Sequence, residues 1–176
     1  LHELNFGLYK IPSGEITNGP LLLEFARTGR DLIISTGMSS MEEVQTALSV
    51  LAFGLVGTGE PSMAVFRQAI ASEKGQAALR SKVTVLHCTT QYPAPPESVN
   101  LQALVCMEQI FGLKMGYSDH TLGTAVACAA VALGARVIEK HITKDKRLLG
   151  PDHAASLNPE EFKILVEAIR TVEQSL

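Results

Sequence analysis

The sequence predicts an α/β fold made of repeated strand–helix units around a parallel sheet. Short apolar runs that end in polar or glycine-rich turns alternate with longer stretches of helical periodicity. The 176 residues are 46% hydrophobic, which is enough to fill the core of one ordinary domain. The apolar runs predict five strands, near Gly7–Ile11, Asp31–Ser35, Lys82–Cys88, Lys114–Tyr117 and Arg136–His141.

Helix-start signals separate these strands. Ser40–Glu43 forms a capping box ahead of an apolar stripe at helical spacing. Small residues between Thr121 and Leu133 predict a helix that lies close against the sheet, with Gly134 ending it. Asn158 followed by Pro159 predicts the start of a last helix. Its predicted buried stripe consists of Phe162, Leu165, Val166 and Ile169.

The rest of the chain bears on domain organisation. From Phe53 to Ser81, glycines and a proline precede a helical pattern, which predicts a loop and one extra helix. Five strand–helix units are fewer than the eight of a complete (β/α)₈ barrel. If the units belong to such a barrel, its first three strands are missing. The opening Leu1–Leu4 also reads as the interior of a longer sequence, so we expect residues 1–176 to be part of one barrel domain.

Composition excludes several classes of protein. The net charge of −3 argues against a general nucleic-acid binder, which needs a basic surface. No apolar run reaches the roughly 20 residues of a membrane span, and the N-terminus lacks a secretory signal pattern. The three cysteines, Cys88, Cys106 and Cys128, are odd in number and lie in apolar stretches, which favours reduced packing thiols and a cytoplasmic protein.

Polar residues close each predicted strand. In βα barrels the active site lies at the carboxyl ends of the strands, so these segments are the candidates for chemistry. They are Lys10–Glu15, Ser35–Met38, His87–Pro93, Gly116–His120 and Glu139–His141.

His120 and His141 end separate predicted strands and are candidate metal ligands. Adjacent strands lie about 4.8 Å apart, so the two imidazoles could reach one ion. Strand periodicity places Ser118 with His120, and Glu139 with His141, on common faces. A cation held by two histidines would keep positions open for water or a substrate carbonyl. The alternative is that each histidine only forms hydrogen bonds within its loop.

A second group of residues offers one cation and several hydroxyl donors, which together could bind a phosphate and a carboxylate. It consists of Lys10, Ser13, Ser35 and Ser118. Taken singly, each is equally typical of solvated surface. Gly14 and Gly37 would let backbone amides approach an anion, although turn geometry explains a glycine equally well.

A third group could grip sugar hydroxyls or transfer protons, namely Glu15, Tyr92 and Asp152. For Asp152 a purely structural role competes, because it lies in a turn-forming sequence. His153 is assigned no ligand role.

Six segments in order carry a family resemblance that covers nearly the whole chain. They are Tyr9–Asn18, Ser35–Met38, His87–Pro93, Gly116–Thr121, Ile138–Thr143 and Gly150–His153. With these motifs the chain resembles the bacterial sialic acid synthase family, which includes N-acetylneuraminate and legionaminate synthases.

The resemblance implies a TIM (β/α)₈ barrel of which this chain supplies about the last five βα units. It implies a cytoplasmic transferase of carbohydrate and cell-surface polysaccharide biosynthesis. Carbon C3 of phosphoenolpyruvate would attack the aldehyde of an N-acetylmannosamine-type sugar, water would add at C2, and phosphate would leave with C–O cleavage.

The resemblance also implies residue roles. Glu15, His120 and His141 would be catalytic, with the two histidines holding Mn²⁺ or Mg²⁺. Phosphoenolpyruvate would be bound by Lys10, Ser13, Ser35 and Ser118. The sugar would be contacted by Glu15, Tyr92 and Asp152.

The chain departs from the family pattern at both ends. Family members carry further N-terminal strands and a small C-terminal antifreeze-like domain that covers the partner's site in a homodimer, so we expect the isolated chain to be nearly inactive. Two alternatives remain open. One is a pseudaminate-type synthase, and the other is a non-catalytic barrel that binds a sugar or phosphate.

Overall fold

The computed structural model describes residues 6–176, so the opening segment Leu1–Leu4 lies outside the described residues. Neighbouring strands pair in parallel at both ends of a five-stranded sheet, which confirms the predicted α/β fold. In sheet order, the strands are β1 (Leu8–Ile11), β2 (Asp31–Ser35), β3 (Val83–Cys88), β4 (Lys114–Asp119) and β5 (Ile138–Lys140).

The helices of the described chain lie between the strands or after the last one, with three of them between β2 and β3. They are α1 (Gly19–Arg27), α2 (Met41–Val56), α3 (Met63–Ala71), α4 (Glu73–Lys82), α5 (Gln102–Phe111), α6 (Ala125–Ala132) and α7 (Pro159–Gln174). Residues divide between two compact units. The first contains the described residues up to Val85 together with Phe111–Lys114, and the second contains Leu86–Ile110 and Met115–Leu176.

In the first unit, β1 and β2 pair with Ile11 opposite Ile34, and both side chains are buried. Helix α2 begins at the predicted capping box: Ser40 accepts a hydrogen bond from the Glu43 amide, and the Glu43 carboxylate accepts one from the Ser40 amide. Eight of the sixteen residues of α2 are buried, all between Val44 and Phe53, because this part of the helix is mainly apolar.

The prediction of one extra helix between Phe53 and Ser81 is wrong, since α2 continues to Val56 and two helices follow. Gly54 lies inside α2. A Cβ at this position would stand 2.4 Å from the Cβ of Ala26 on α1, so the glycine permits close packing of the two helices. Ser72 then ends α3, and its hydroxyl caps α4 by accepting from the Gly75 amide at 3.0 Å.

In the second unit, β4 and β5 pair in the register Tyr117–Ile138, Ser118–Glu139 and Asp119–Lys140. A core cluster of Ala127, Leu157 and Leu165 packs on the helix-covered side of β5, against the side chain of Ile138. Gly134 follows α6 with φ +102°, a conformation that favours glycine, which confirms the predicted helix end.

Strand ends differ from the predictions by a few residues. Lys82 closes α4 rather than opening β3, and β4 continues past Tyr117 to Asp119 because its pairing with β5 continues. Strand β5 is shorter than predicted, so His141 lies immediately beyond it.

Helix α7 starts at the predicted Asn158 cap, with Glu161 completing a second capping box. Its predicted buried stripe is too wide. Leu165 is buried, and Phe162 and Ile169 pack partly buried beside it. Val166 is 40% exposed, because one residue on from Leu165 turns the side chain about 100° away from the contact line.

All three cysteines are free, which agrees with the prediction of reduced thiols. Their predicted packing role holds for Cys88, which is buried, and partly for Cys128, but it is wrong for the exposed Cys106 on α5. An amphipathic helix leaves one face to solvent, and Cys106 lies on that face. Within residues 6–176, none of the helices has the length and apolar character that crossing a membrane requires.

Candidate active site

The first unit places its predicted anion-binding residues at and just after two strand ends. Ser13 and Glu15 lie in a 3₁₀ turn that follows β1, and Lys10 is the third residue of that strand. Ser35 is the last residue of β2 and is buried, yet its hydroxyl has no hydrogen-bond partner among the described residues. Buried hydroxyls without a partner are costly and uncommon, so Ser35 suits a ligand oxygen.

Glu15 is held in place by its own turn. Its carboxylate accepts a 2.7 Å hydrogen bond from the side-chain amide of Asn18, the residue that caps α1.

Of the two glycines considered for anion binding, Gly37 has φ +52°, so the backbone conformation of its turn is enough to favour glycine there. Gly14 has no such requirement and no close neighbour at its Cβ position.

The second unit brings three predicted residues together. His120 and His141 follow β4 and β5, one position beyond the Asp119–Lys140 pair, and their ring centroids are 5.5 Å apart. The ring of Tyr92 lies 4.0 Å from that of His120 and 5.5 Å from that of His141. Tyr92 is 42% exposed, so the cluster is open to a ligand.

A carboxylate and a hydroxyl adjoin the histidines on the same face of the sheet. Ser118 donates a 2.7 Å hydrogen bond to the carboxylate of Glu139, its register partner. The same hydroxyl lies 3.5 Å from Nε2 of His120. Strand period places Ser118 with His120 and Glu139 with His141, as predicted, and the register of β4 with β5 brings the two pairs into one patch.

The tautomer of His120 follows from its contacts. Nδ1 lies 2.8 Å from the carbonyl oxygen of Thr89, and a carbonyl can only accept, so Nδ1 carries the proton. Burial lowers the pKa of His120, which outweighs the opposing effect of the Thr89 hydrogen bond, and the charge of His141 lowers it further. The ring is therefore neutral near pH 7, with a lone pair on Nε2.

Tyr92 is set up to donate a proton in a hydrogen bond. Burial first, and then nearby negative groups that include Asp152 and Glu139, raise the pKa of its phenol. A phenol that stays protonated suits a sugar hydroxyl or carbonyl.

Asp152 serves both the turn and the histidine cluster. Its backbone carbonyl accepts hydrogen bonds from the amides of Ala155 and Ser156, so the residue takes part in the turn. Its carboxylate also approaches Nδ1 of His141 at 4.0 Å. Nδ1 of His153 lies 2.8 Å from the hydroxyl of Thr143.

The histidine pair fits a divalent ion in its donor chemistry. A neutral imidazole whose far nitrogen is tied to a carbonyl is the usual form of a histidine ligand. Among residues 6–176, no three His, Cys, Asp or Glu side chains converge as a ready-made metal cage. Two histidines would thus leave several coordination positions to water or substrate.

Sequence reasoning missed several residues of this site. It did not give roles to Thr89, to Glu139 or to the Asp119–Lys140 pair. For Glu139 the signal was present, since it shares a strand face with His141. The contacts of Thr89, Asp119 and Lys140 depend on strand register and on backbone groups distant in sequence.

The parallel sheet and the helices along it define an α/β domain of the barrel type. The chain belongs to the NeuB family, whose model matches residues 1–176. It is 44% identical over its whole length to N,N'-diacetyllegionaminic acid synthase of Campylobacter jejuni, and 38% identical to human N-acetylneuraminate-9-phosphate synthase. The chain spans 46% and 42% of the lengths of these relatives.

Solved structures agree with the sequence comparison. The N-acetylneuraminic acid synthetase of Leptospira borgpetersenii superposes with a TM-score of 0.80 at 31% identity, over 99% of this chain and 52% of that one. A truncated 3-deoxy-D-arabino-heptulosonate 7-phosphate synthase of Thermotoga maritima superposes with a TM-score of 0.65 at 16% identity, a likeness of fold alone. The predicted fold class, part of a (β/α)₈ barrel, is confirmed.

Proposed function

We propose that the protein containing this chain is a transferase that condenses phosphoenolpyruvate with N-acetylmannosamine or a related N-acetylated sugar. The products are a nine-carbon keto-sugar acid and phosphate. The bond between C3 of phosphoenolpyruvate and the sugar aldehyde forms, the aldehyde oxygen takes up a proton, water adds at C2, and the C2–O bond to phosphate breaks. The family relationship to synthases of legionaminic, N-acetylneuraminic and pseudaminic acids supports this proposal.

The observation that carries the proposal is the joining of Tyr92, His120 and His141 beside the Ser118–Glu139 hydrogen bond. The cluster combines imidazole nitrogens, a protonated phenol, a hydroxyl and a carboxylate within one unit. A carbon–carbon bond formed at an aldehyde needs groups that bind the aldehyde oxygen and supply it with a proton.

In this proposal His120 and His141 hold a divalent ion, Mn²⁺ or Mg²⁺. When bound, such an ion supplies Lewis-acid polarisation of a carbonyl and orients water. The chain's own part is to keep Nε2 of His120 unprotonated. Burial lowers the pKa of the ring, and the hydrogen bond to Thr89 holds the one proton of the neutral ring on Nδ1.

The other residues divide between the two substrates. Phosphoenolpyruvate is anionic, and we assign its binding to Lys10, Ser13, Ser35 and Ser118. The unpartnered buried hydroxyl of Ser35 supports that assignment. Glu15, Tyr92 and Asp152 are assigned to the sugar. The exposed fraction of Tyr92 and the half-exposed carboxylate of Asp152 leave both free to meet a ligand.

The acceptor of the legionaminate type is favoured by similarity. Identity is 44% and 46% to two N,N'-diacetyllegionaminic acid synthases, against 35% to the pseudaminic acid synthase of Helicobacter pylori. The family resemblance also supports a cytoplasmic homodimer. Light scattering on the full gene product tests whether the protein is a dimer.

The deciding experiment measures phosphate release by the full gene product with phosphoenolpyruvate and Mn²⁺. Parallel reactions contain N-acetylmannosamine, the diacetamido-trideoxy sugar precursors of legionaminate and of pseudaminate, or no sugar. We expect release that requires one sugar and stops on addition of a chelator. Binding of sugar or phosphoenolpyruvate without release from any mixture would instead identify a non-catalytic binding barrel.

A further inference from the structure

Asp119 and Lys140 form a buried ion pair next to the two histidines in sequence, and the proposed chemistry gives this ion pair no role. The ammonium of Lys140 lies 2.9 Å from the carboxylate of Asp119. The two side chains are 1% and 0% exposed, so water is excluded from both charges. Asp119 and Lys140 are register partners on β4 and β5, one position before His120 and His141.

The pair lies on the opposite face of the sheet from the ligand cluster. Side chains alternate along a strand, so Lys140 shares a face with Ile138, which packs against the core of α6 and α7. Asp119 shares the corresponding face of β4 with the buried Tyr117. The ion pair therefore does not contact a substrate in the cluster.

The hydrogen bonds of the ion pair involve both sequence neighbours of His120, namely Asp119 and Thr121. The second carboxylate oxygen of Asp119 accepts 2.8 Å hydrogen bonds from the amide and from the hydroxyl of Thr121. The ammonium of Lys140 also donates to the backbone carbonyl of Thr121. The ammonium of Lys140 thus binds Asp119 and Thr121, the residues before and after His120. Lys140 itself is the residue before His141.

Stability alone does not account for this arrangement. Burying two charges costs much of what their attraction returns, and apolar replacements of buried ion pairs are often as stable as the original. An ion pair does fix geometry, because a misaligned strand would leave charges buried without a partner. We propose that Asp119 and Lys140 are positioning residues that set the relative placement of His120 and His141.

This inference rests on the proposed function only for its kinetic readout. The test uses the full gene product carrying Asp119→Asn together with Lys140→Met. The double substitution removes both charges and keeps an acceptor for Thr121. The matched control is Asp31→Asn with Lys82→Met, which removes an exposed ion pair of the first unit whose side chains are 59% and 39% exposed.

Two readouts are needed. The first is kcat and KM for phosphate release, where we expect kcat to fall by about 10-fold or more with a smaller change in KM, as when groups that orient ligands are lost. The second is the imidazole ¹⁵N spectrum of metal-free protein labelled at histidine. We expect the slowly exchanging Nδ1 proton of His120, assigned by its absence in His120→Ala, to be lost or doubled. The single variant Lys140→Arg keeps the charge. It should therefore retain more of kcat, and more of the His120 Nδ1 proton signal, than the double variant does.

A folded double variant with wild-type kcat and an unchanged His120 signal would overturn the proposal. If the double variant does not fold, Lys140→Arg alone, which keeps both charges and changes only the donor geometry, is judged by the same two readouts. If the wild-type protein releases no phosphate, the proposed function fails, but the ¹⁵N spectrum of the metal-free variants still decides whether the ion pair positions the histidine.

Discussion

Ser118 and Glu139 face each other across β4 and β5, and the serine hydroxyl donates to the glutamate carboxylate at 2.7 Å. The same hydroxyl is 3.5 Å from Nε2 of His120. One serine thus orients a carboxylate beside a neutral imidazole, at the point where we place phosphoenolpyruvate.

Replacing that serine tests its assignment to phosphoenolpyruvate. In Ser118→Ala we expect KM for phosphoenolpyruvate to rise about 10-fold. The hydroxyl that donates to Glu139 in the free protein would turn to the anionic ligand when it binds, and one hydrogen bond to a charged group is worth roughly 1.5 kcal/mol. Steady-state phosphate release measures the effect. Ser98→Ala serves as control, since Ser98 donates to the carbonyl of Pro95 on the surface. An unchanged KM would remove Ser118 from the binding site.

Removing either histidine tests the metal assignment. His120→Ala and His141→Ala should each lower kcat on the order of 100-fold or more and weaken Mn²⁺ binding, measured by calorimetry, because each removes one of two protein ligands. His87→Asn is the matched control. Its ring bonds the carbonyl of Val99 at 2.6 Å, and it should keep its Mn²⁺ affinity. Full Mn²⁺ affinity in His120→Ala would contradict the assignment.

Stability should depend on pH through the buried histidines. Burial lowers the pKa of both His87 and His120 from the value of 6.5 taken for the unfolded chain. Below that value the unfolded chain binds protons that the folded chain does not, so acidification favours unfolding. We expect the urea midpoint to be constant above about pH 7.5 and to fall as pH drops through 6.5 toward the folded-state values.

The variant His87→Phe isolates one part of this pH dependence. It cannot titrate, so its urea midpoint should fall less steeply with acidification than that of the wild type, whatever its stability at pH 7.5. Parallel slopes for the two proteins would show that His87 does not contribute.

Gly116 on β4 should tolerate no side chain. A Cβ there would stand 2.4 Å from the Leu86 side chain and 2.5 Å from the carbonyl oxygen of Val137. Gly116→Ala should therefore lower the free energy of unfolding by about 1–3 kcal/mol, the usual cost of overpacking. Chemical denaturation measures the loss. Gly19→Ala, with open space at its Cβ position, should be close to neutral, and equal effects would argue against overpacking.

Much of the fold was predictable because its signals are local. The capping box at Ser40, the helix start at Asn158, the five strands and the glycine that ends α6 all depend on residues within a few positions of each other. The errors arose where tertiary contacts override local preference. Gly54 reads as a loop residue but lies within α2, because Ala26 packs against it. Val166 reads as core but is exposed, because the contact face of α7 is narrow.

The site divides in the same way. By itself, the sequence determined which polar residues end the strands and which of them share a face, because strand direction and side-chain alternation are properties of the local backbone. Only the tertiary structure decided that the Thr89 carbonyl fixes the tautomer of His120, and that Asp119 and Lys140 meet without water. Those contacts join residues 21 to 31 positions apart, and only parallel strand pairing in one register brings them within hydrogen-bonding distance.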